Sequence, residues 1–174
     1  MNAVANDMTG TFVPSAEDTR RLRNAFGRFA TGVTIVTCAS EDGPICITAN
    51  SFSSLSLEPA LVMWAVDKGS RRFEYFAKAQ HFAIHVLGAD QEALCFASAK
   101  DALALAQLDH GINGEGTPVL PGCLARFECK TEAHYEAGDH VIMVGKILRA
   151  AQEEGDALAF FGGKIGSFTQ AEQA

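Results

Sequence analysis

The run Thr48-Ala49-Asn50-Ser51-Phe52-Ser53-Ser54-Leu55-Ser56 places five hydroxyls and an amide within nine residues, just after a strand-like segment. Hydroxyls, an Asn amide and exposed backbone N–H groups together suit a small polar ligand. The same residues also make an ordinary Ser-rich turn bonded to its own backbone. A second stretch, Asp67-Lys68-Gly69-Ser70-Arg71-Arg72, lies between a strand and a helix. A helix start offers unpaired N–H groups and partial positive charge, which suit a phosphate. Ser70 adds a hydroxyl, and Lys68, Arg71 and Arg72 add cations that are unfavourable there unless an anion joins them. The competing reading is a Ser cap with solvated arginines. The third is Gly138-Asp139-His140, a turn whose histidine can orient a ligand, stack on a ring or donate a proton, or simply stand at a strand mouth. Trp64 and Phe52 either line an aromatic-binding pocket or pack in the core.

Other chemistries lack their signatures. G-x-G-x-x-G does not occur, and the nearest cluster (Gly111, Gly114, Gly116) follows a helical pattern instead of a strand. There is no Walker A loop and no G-x-S-x-G elbow. The histidines (His81, His85, His110, His134, His140) form no metal-ligand spacing, so no metal is expected. The cysteines (Cys38, Cys46, Cys95, Cys123, Cys129) are odd in number and widely spaced. They read as small apolar core residues in a reducing cytoplasm. With 14 Lys+Arg against 21 Asp+Glu the net charge is -7, which argues against a nucleic-acid partner. No apolar run approaches the ~20 residues that span a bilayer, and no charged-then-apolar leader opens the chain. No membrane association is expected.

Those stretches need a scaffold. The 174 residues, 48% hydrophobic and 20% charged, suit one globular domain. Residues 1–14 read as a flexible tail and residues 15–170 as the domain. Ser15 is expected to cap a helix with an apolar stripe of Leu22, Ala25, Phe26 and Phe29, ended by Gly32. Strands follow at 33–38 and 44–49 as a hairpin, then at 61–66 and 82–87. Ser70 starts a short helix. Residues 90–108 read as one helix and 109–117 as a Gly-rich loop. Ala125, Phe127, Cys129, Ala133 and Tyr135 alternate with Arg126, Glu128, Lys130, Glu132 and His134, predicting a strand with one wet face. Gly138-Asp139 turns the chain back along 140–148, and 157–161 can add a short strand. Six or seven strands in hairpin order, without β-α-β-α alternation, favour a mainly β, closed or split antiparallel barrel.

Several segments in order also resemble a known family. They are the opening Arg23-Asn24-Ala25-Phe26-Gly27-Arg28-Phe29-Ala30-Thr31-Gly32-Val33-Thr34-Ile35-Val36-Thr37, the Thr48 to Leu57 run with Pro59, and Phe82-Ala83-Ile84-His85-Val86-Leu87. Asp90-Gln91, Pro118-Val119-Leu120, Gly138-Asp139-His140 and Phe160-Phe161-Gly162-Gly163-Lys164 complete the set. Together, over residues 22–168, they resemble the flavin reductase-like, FMN-binding split-barrel family. Its members include the reductase components of two-component flavin-dependent monooxygenases. The resemblance implies an antiparallel split barrel of Greek-key type with peripheral α-helices, usually a homodimer with the flavin near the interface. It implies reduction of FMN or FAD by NADH or NADPH, the reduced flavin passing to a separate oxygenase component. Alternatives are a split-barrel oxidoreductase that retains FMN and serves another acceptor, and a non-enzymatic flavin carrier or sensor. Carried over residue by residue, Thr48, Ala49, Asn50 and Ser51 would lie along the isoalloxazine and ribityl chain. Ser53, Ser54, Gly69, Ser70 and Arg71 would be nearest the phosphate, and Met63, Trp64 and Ala65 would flank the ring. Asp139 and His140 would stand near the nicotinamide, His140 as the catalytic residue. The chain departs from the family pattern at Ile165, where members often carry an aromatic residue, and at Cys46, where many carry glycine.

Overall fold

The computed structural model describes residues 10–169. In chain order the elements are α1 (Thr19–Phe26), β1 (Thr31–Gly32), β2 (Thr34–Ser40), β3 (Gly43–Ala49), β4 (Ser53–Leu57), β5 (Ala60–Asp67), α2 (Phe73–Lys78) and β6 (His81–Val86). Then come α3 (Glu92–Lys100), β7 (Gly111–Ile112), β8 (Pro118–Val119), β9 (Ala125–Ala137), β10 (His140–Gln152), β11 (Ala157–Phe161) and β12 (Lys164–Phe168). Seven strands form one antiparallel sheet in the order β3-β2-β6-β9-β10-β5-β4. A second sheet has the order β1-β11-β12, and β7 pairs with β8. The fold is mainly β with helices at its periphery, as the hairpin order predicts. Among the described residues no helix is long and apolar enough to cross a membrane.

Strand β2 shows why the sheet forms. Thr34, Ile35, Val36 and Thr37 are β-branched or stiff, and both faces of the strand are buried. One face sends Val36 and Cys38 into a core with Ile45, Val66, Phe82 and Met143. The other sends Ile35, with Val33 just before the strand, into a core with Leu87, Leu105, Leu120 and Leu158. Trp64 is fully buried in the first core, edge-on to Phe76 and Phe82 at centroid distances of 5.0 and 6.1 Å. Each such side chain adds roughly 1.5–3 kcal/mol of apolar burial. All five cysteines are buried free thiols. Burial pushes the thiols of Cys38 and Cys129 up to about 12. At the bulge between Val144 and Gly145, a Cβ on Gly145 would stand 2.5 Å from Phe82 Cζ, so only glycine fits.

Several expectations are corrected. Ser15 makes no side-chain cap. The α-helix begins at Thr19, with the Asp18 carboxylate accepting from the Arg21 N–H, and it ends at Gly27 instead of Gly32. Phe26 and Phe29, from the predicted stripe, are 68% and 76% exposed. The expected helix over 90–108 breaks at Asp101, which is extended and takes the Leu103 N–H on Oδ1; short 3-10 turns flank α3. The Ser-rich run contains strand β4, and a further strand, β12, follows the Gly162-Gly163 turn. Glu128, assigned to a wet face, is buried because Arg126, Arg149 and Asn113 converge on its carboxylate at 2.8–3.0 Å. Burial opposes its ionisation, but those partners outweigh it and hold the carboxyl below its usual range. Of the expected tail, residues 1–9 lie outside the described residues. Arg21 donates to Gly10 O and lies over the Phe12 ring.

Candidate functional site

Strand β3 ends at an open cleft of about 590 Å3. Thr48, Ala49 and Asn50 form one wall, α3 supplies Glu92, Cys95, Phe96 and Ala99, and the β11–β12 hairpin supplies Phe160, Gly163, Lys164 and Ile165. That size falls within the range of small-molecule sites. Three local features build it. Thr48 Oγ1 donates to Cys95 O at 2.9 Å, which ties β3 to α3. Phe161 pairs with Lys164 across Gly162-Gly163, whose φ values of +60 and +80 suit a two-residue hairpin turn. β1 then joins this hairpin through the Thr31–Phe160 and Gly32–Ala159 pairs. The walls are largely apolar, with the Asn50 amide, the Lys164 ammonium and the Glu92 carboxylate at the rim. A flat ring with polar edges and an anionic tail fits that donor set.

Ser51 links this cleft to β5. Its Oγ donates to Ala65 O at 3.1 Å and accepts from Ala65 N at 3.0 Å. Ser53 and Met63 are register partners, and Ser53 Oγ donates to Ser54 O. Met63 and Ala65 are half-buried on one side of β5, while Trp64, between them, points into the core. Trp64 therefore offers a ligand only its backbone. Phe52 stacks on Phe127 at 5.5 Å, so it too is a packing residue.

The cationic stretch is differently used from the phosphate reading. Arg72 donates to Ser98 O and Ala99 O at 3.0 and 3.1 Å, capping the carbonyl end of α3. There its charge complements the helix dipole and needs no anion. Lys68 pairs with Glu136 and donates to Gly138 O. Helix α2 begins at Phe73, and Ser70 instead closes a turn by accepting the Arg72 N–H. Gly69 lies in the turn before it, its N–H donated to Asp67 Oδ1. Arg71 is exposed and lines a separate cleft with Glu41, Asp42, Glu74 and Tyr75. The structure does not bring it to the Thr48–Asn50 wall.

His140 opens β10 opposite Asp67 of β5. Its Nδ1 lies 2.8 Å from Asp139 Oδ1. A carboxylate only accepts, so Nδ1 donates the proton of this hydrogen bond and the ring's other nitrogen, Nε2, faces away from Asp139. The hydrogen bond and charge of His140 hold the Asp139 carboxyl below its usual range. Lys68 N donates to Asp139 O at 2.9 Å, so the second and third stretches meet at one sheet end. Ala65, which carries Ser51, pairs with Ile142 two residues from His140. The elements thus make a continuous strip from the cleft through Ser51 and Ala65 to His140. The α3 contributors Glu92, Phe96 and Ala99 escaped sequence reasoning. The structure marks them through Phe96, an aromatic residue left 55% exposed in an Ala-rich helix.

Comparison with known proteins identifies the family of this chain. The flavin reductase like domain model matches residues 26–169. The NADH-dependent FMN reductase SmoA of Agrobacterium fabrum is 52% identical over 159 residues, covering 91% of each protein. The reductase subunit HsaB of a flavin-dependent monooxygenase from Rhodococcus jostii is 34% identical, covering 93% of this chain and 84% of its own. The NADH:FAD oxidoreductase SgcE6 of Streptomyces globisporus, solved with NAD and FAD fragments, superposes with a TM-score of 0.86 at 32% identity, over 94% of this chain and 100% of that one. The open antiparallel sheet is accordingly the split barrel of the flavin reductases, and this chain belongs to the flavin reductase like family.

Proposed function

We infer that the chain is an NADH-dependent flavin reductase that takes up FMN or FAD, reduces it and supplies the reduced flavin to a separate monooxygenase. The observation that carries this reading is the strip that joins the Thr48–Asn50 cleft, through Ser51 and Ala65, to His140. The relatives named above are NADH enzymes or monooxygenase reductase subunits, which supports the choice of nicotinamide and of partner.

Bound flavin and nicotinamide supply the hydride chemistry themselves. The chain's task is to bind and orient them. Thr48, Ala49, Asn50 and Ser51 would hold the flavin, with Met63 and Ala65 beside them and Phe96 and Ile165 as apolar walls. Lys164 at the rim is better placed than Arg71 for an anionic tail. With its Nδ1 edge tied to Asp139, His140 would meet the nicotinamide carboxamide through Nε2. A homodimer also fits. Gly162 N donates to Gly27 O, which brings together the segments that carry exposed Phe26, Phe29 and Phe161. Buried free thiols and dependence on NADH suit a cytoplasmic location.

The test is NADH consumption by purified protein with FMN, FAD or riboflavin varied in turn. Turnover that saturates with added flavin is expected; flavin binding without turnover would overturn the reading. His140→Ala is expected to lower turnover by about ten- to hundredfold while flavin affinity changes little, since misplacement of one reactant has that cost. Equal loss of both would remove His140 from the nicotinamide.

A further inference from the structure

The turn that carries His140 projects past the end of its sheet. Ala137, Gly138 and Asp139 are all exposed, and the β5–β10 ladder stops at the Asp67–His140 pair. An exposed hairpin end of this kind frays unless something outside the hairpin holds it. Lys68 is that contact, made three ways. Its backbone N–H donates to Asp139 O at 2.9 Å, extending the ladder by one bond. Its ammonium donates to Gly138 O at 2.8 Å. The ammonium also pairs with Glu136 on β9, so one side chain spans both sides of the turn. Lys68 is itself anchored, because the next residues form a tight turn in which Asp67 Oδ1 accepts the Gly69 N–H at 2.7 Å.

We propose that Lys68 is a positioning residue for His140. It holds the Gly138-Asp139 turn against the β5–α2 connection, and the Asp139 carboxylate in turn fixes the His140 ring. Lys68 is thereby withdrawn from phosphate binding, since its ammonium is already committed to a carbonyl and a carboxylate. The inference rests on the reading of His140 as the nicotinamide-facing residue. The charged groups around the ring are Asp139 beside it, Asp67 opposite it, and Lys68 with Glu136 across the turn.

Lys68→Met keeps the stem and the backbone bond but deletes the ammonium. It is expected to lower NADH turnover about tenfold, the scale of a misplaced positioning group, with flavin affinity and thermal midpoint unchanged. Lys68→Arg, which can span the same turn, is expected to restore most of the rate. In a His140→Ala background Lys68→Met is expected to have no further effect, because the residue it positions is gone. Full turnover in Lys68→Met, or the same fold loss in the His140→Ala background, would overturn the proposal. If His140→Ala itself keeps full turnover, the reading of His140 fails; if it loses turnover while Lys68→Met does not, the positioning role alone fails. Glu136→Gln, altered at an exposed carboxylate, is the second variant should Lys68→Met lose thermal stability. A loss of about threefold, absent without His140, is expected from it, and an unchanged rate counts against the role.

Discussion

His85 is a histidine with a fixed state. It is fully buried; its Nδ1–H donates to Ile35 O at 3.0 Å and its Nε2 accepts the Leu120 N–H at 3.1 Å. The accepting nitrogen requires a neutral ring, and burial pushes its pKa down from 6.5 to about 4. The unfolded chain therefore takes the proton first. Stability is full above the unfolded value of about 6.5 and is lost as the pH falls toward 4, about 3 kcal/mol across that window. Urea midpoints should fall between pH 7 and pH 4.5 (both approximate choices within the window). His85→Gln, which does not titrate, should show a shallower fall, and equal slopes would refute this account. Sequence could not reveal that role, because Leu120 lies 35 residues away. Arg72 is similar, since its carbonyl partners begin 26 residues on. The Gly138-Asp139-His140 turn was legible because its residues are adjacent, but the Asp139–His140 hydrogen bond appears only in the structure.

Strands were legible where one pattern dominated. β2, β5 and β6 are dense in apolar and β-branched residues because they have neighbours on both sides and buried faces. β4 was hidden: it is an edge strand of serines and exposed leucines, so its register comes from β5 and not from its own alternation. The helix over 90–108 failed for a local reason, the Asp101 side chain bonding the backbone in place of a continuing helix. The cleft was half legible. The β3 end announced itself by its hydroxyls, whereas the α3 wall is alanine-rich and featureless in sequence. β10 contains the sharpest packing constraint. Gly145→Ala would set a Cβ 2.9 Å from Cys129 Cβ as well as against the buried Phe82 ring. A loss of about 1–3 kcal/mol is expected, as for other overpacked cores, read as a lower urea midpoint at unchanged slope. A variant as stable as the parent would contradict this packing.

At the scale of the whole molecule, exposed Phe26, Phe29 and Phe161 are the residues that the proposed homodimer would cover. The expected helix stripe does not form as such, since Phe29 lies beyond the helix end and both phenylalanines are exposed. Phe26→Ser with Phe29→Ser is expected to shift sedimentation from dimer to monomer at micromolar protein, with the fold retained by circular dichroism. A parent that sediments as a monomer would refute the assignment. The thiols have a different consequence. A protein that dispenses reduced flavin in air works where peroxide is generated. Thiol oxidation by peroxide proceeds through the thiolate and needs access. Here all five cysteines are buried, burial raises each of their pKa values, and two reach about 12. Even Cys95, which borders the cleft, is kept as neutral sulfhydryl. The chain thereby withholds its own sulfur from the by-product of its reaction.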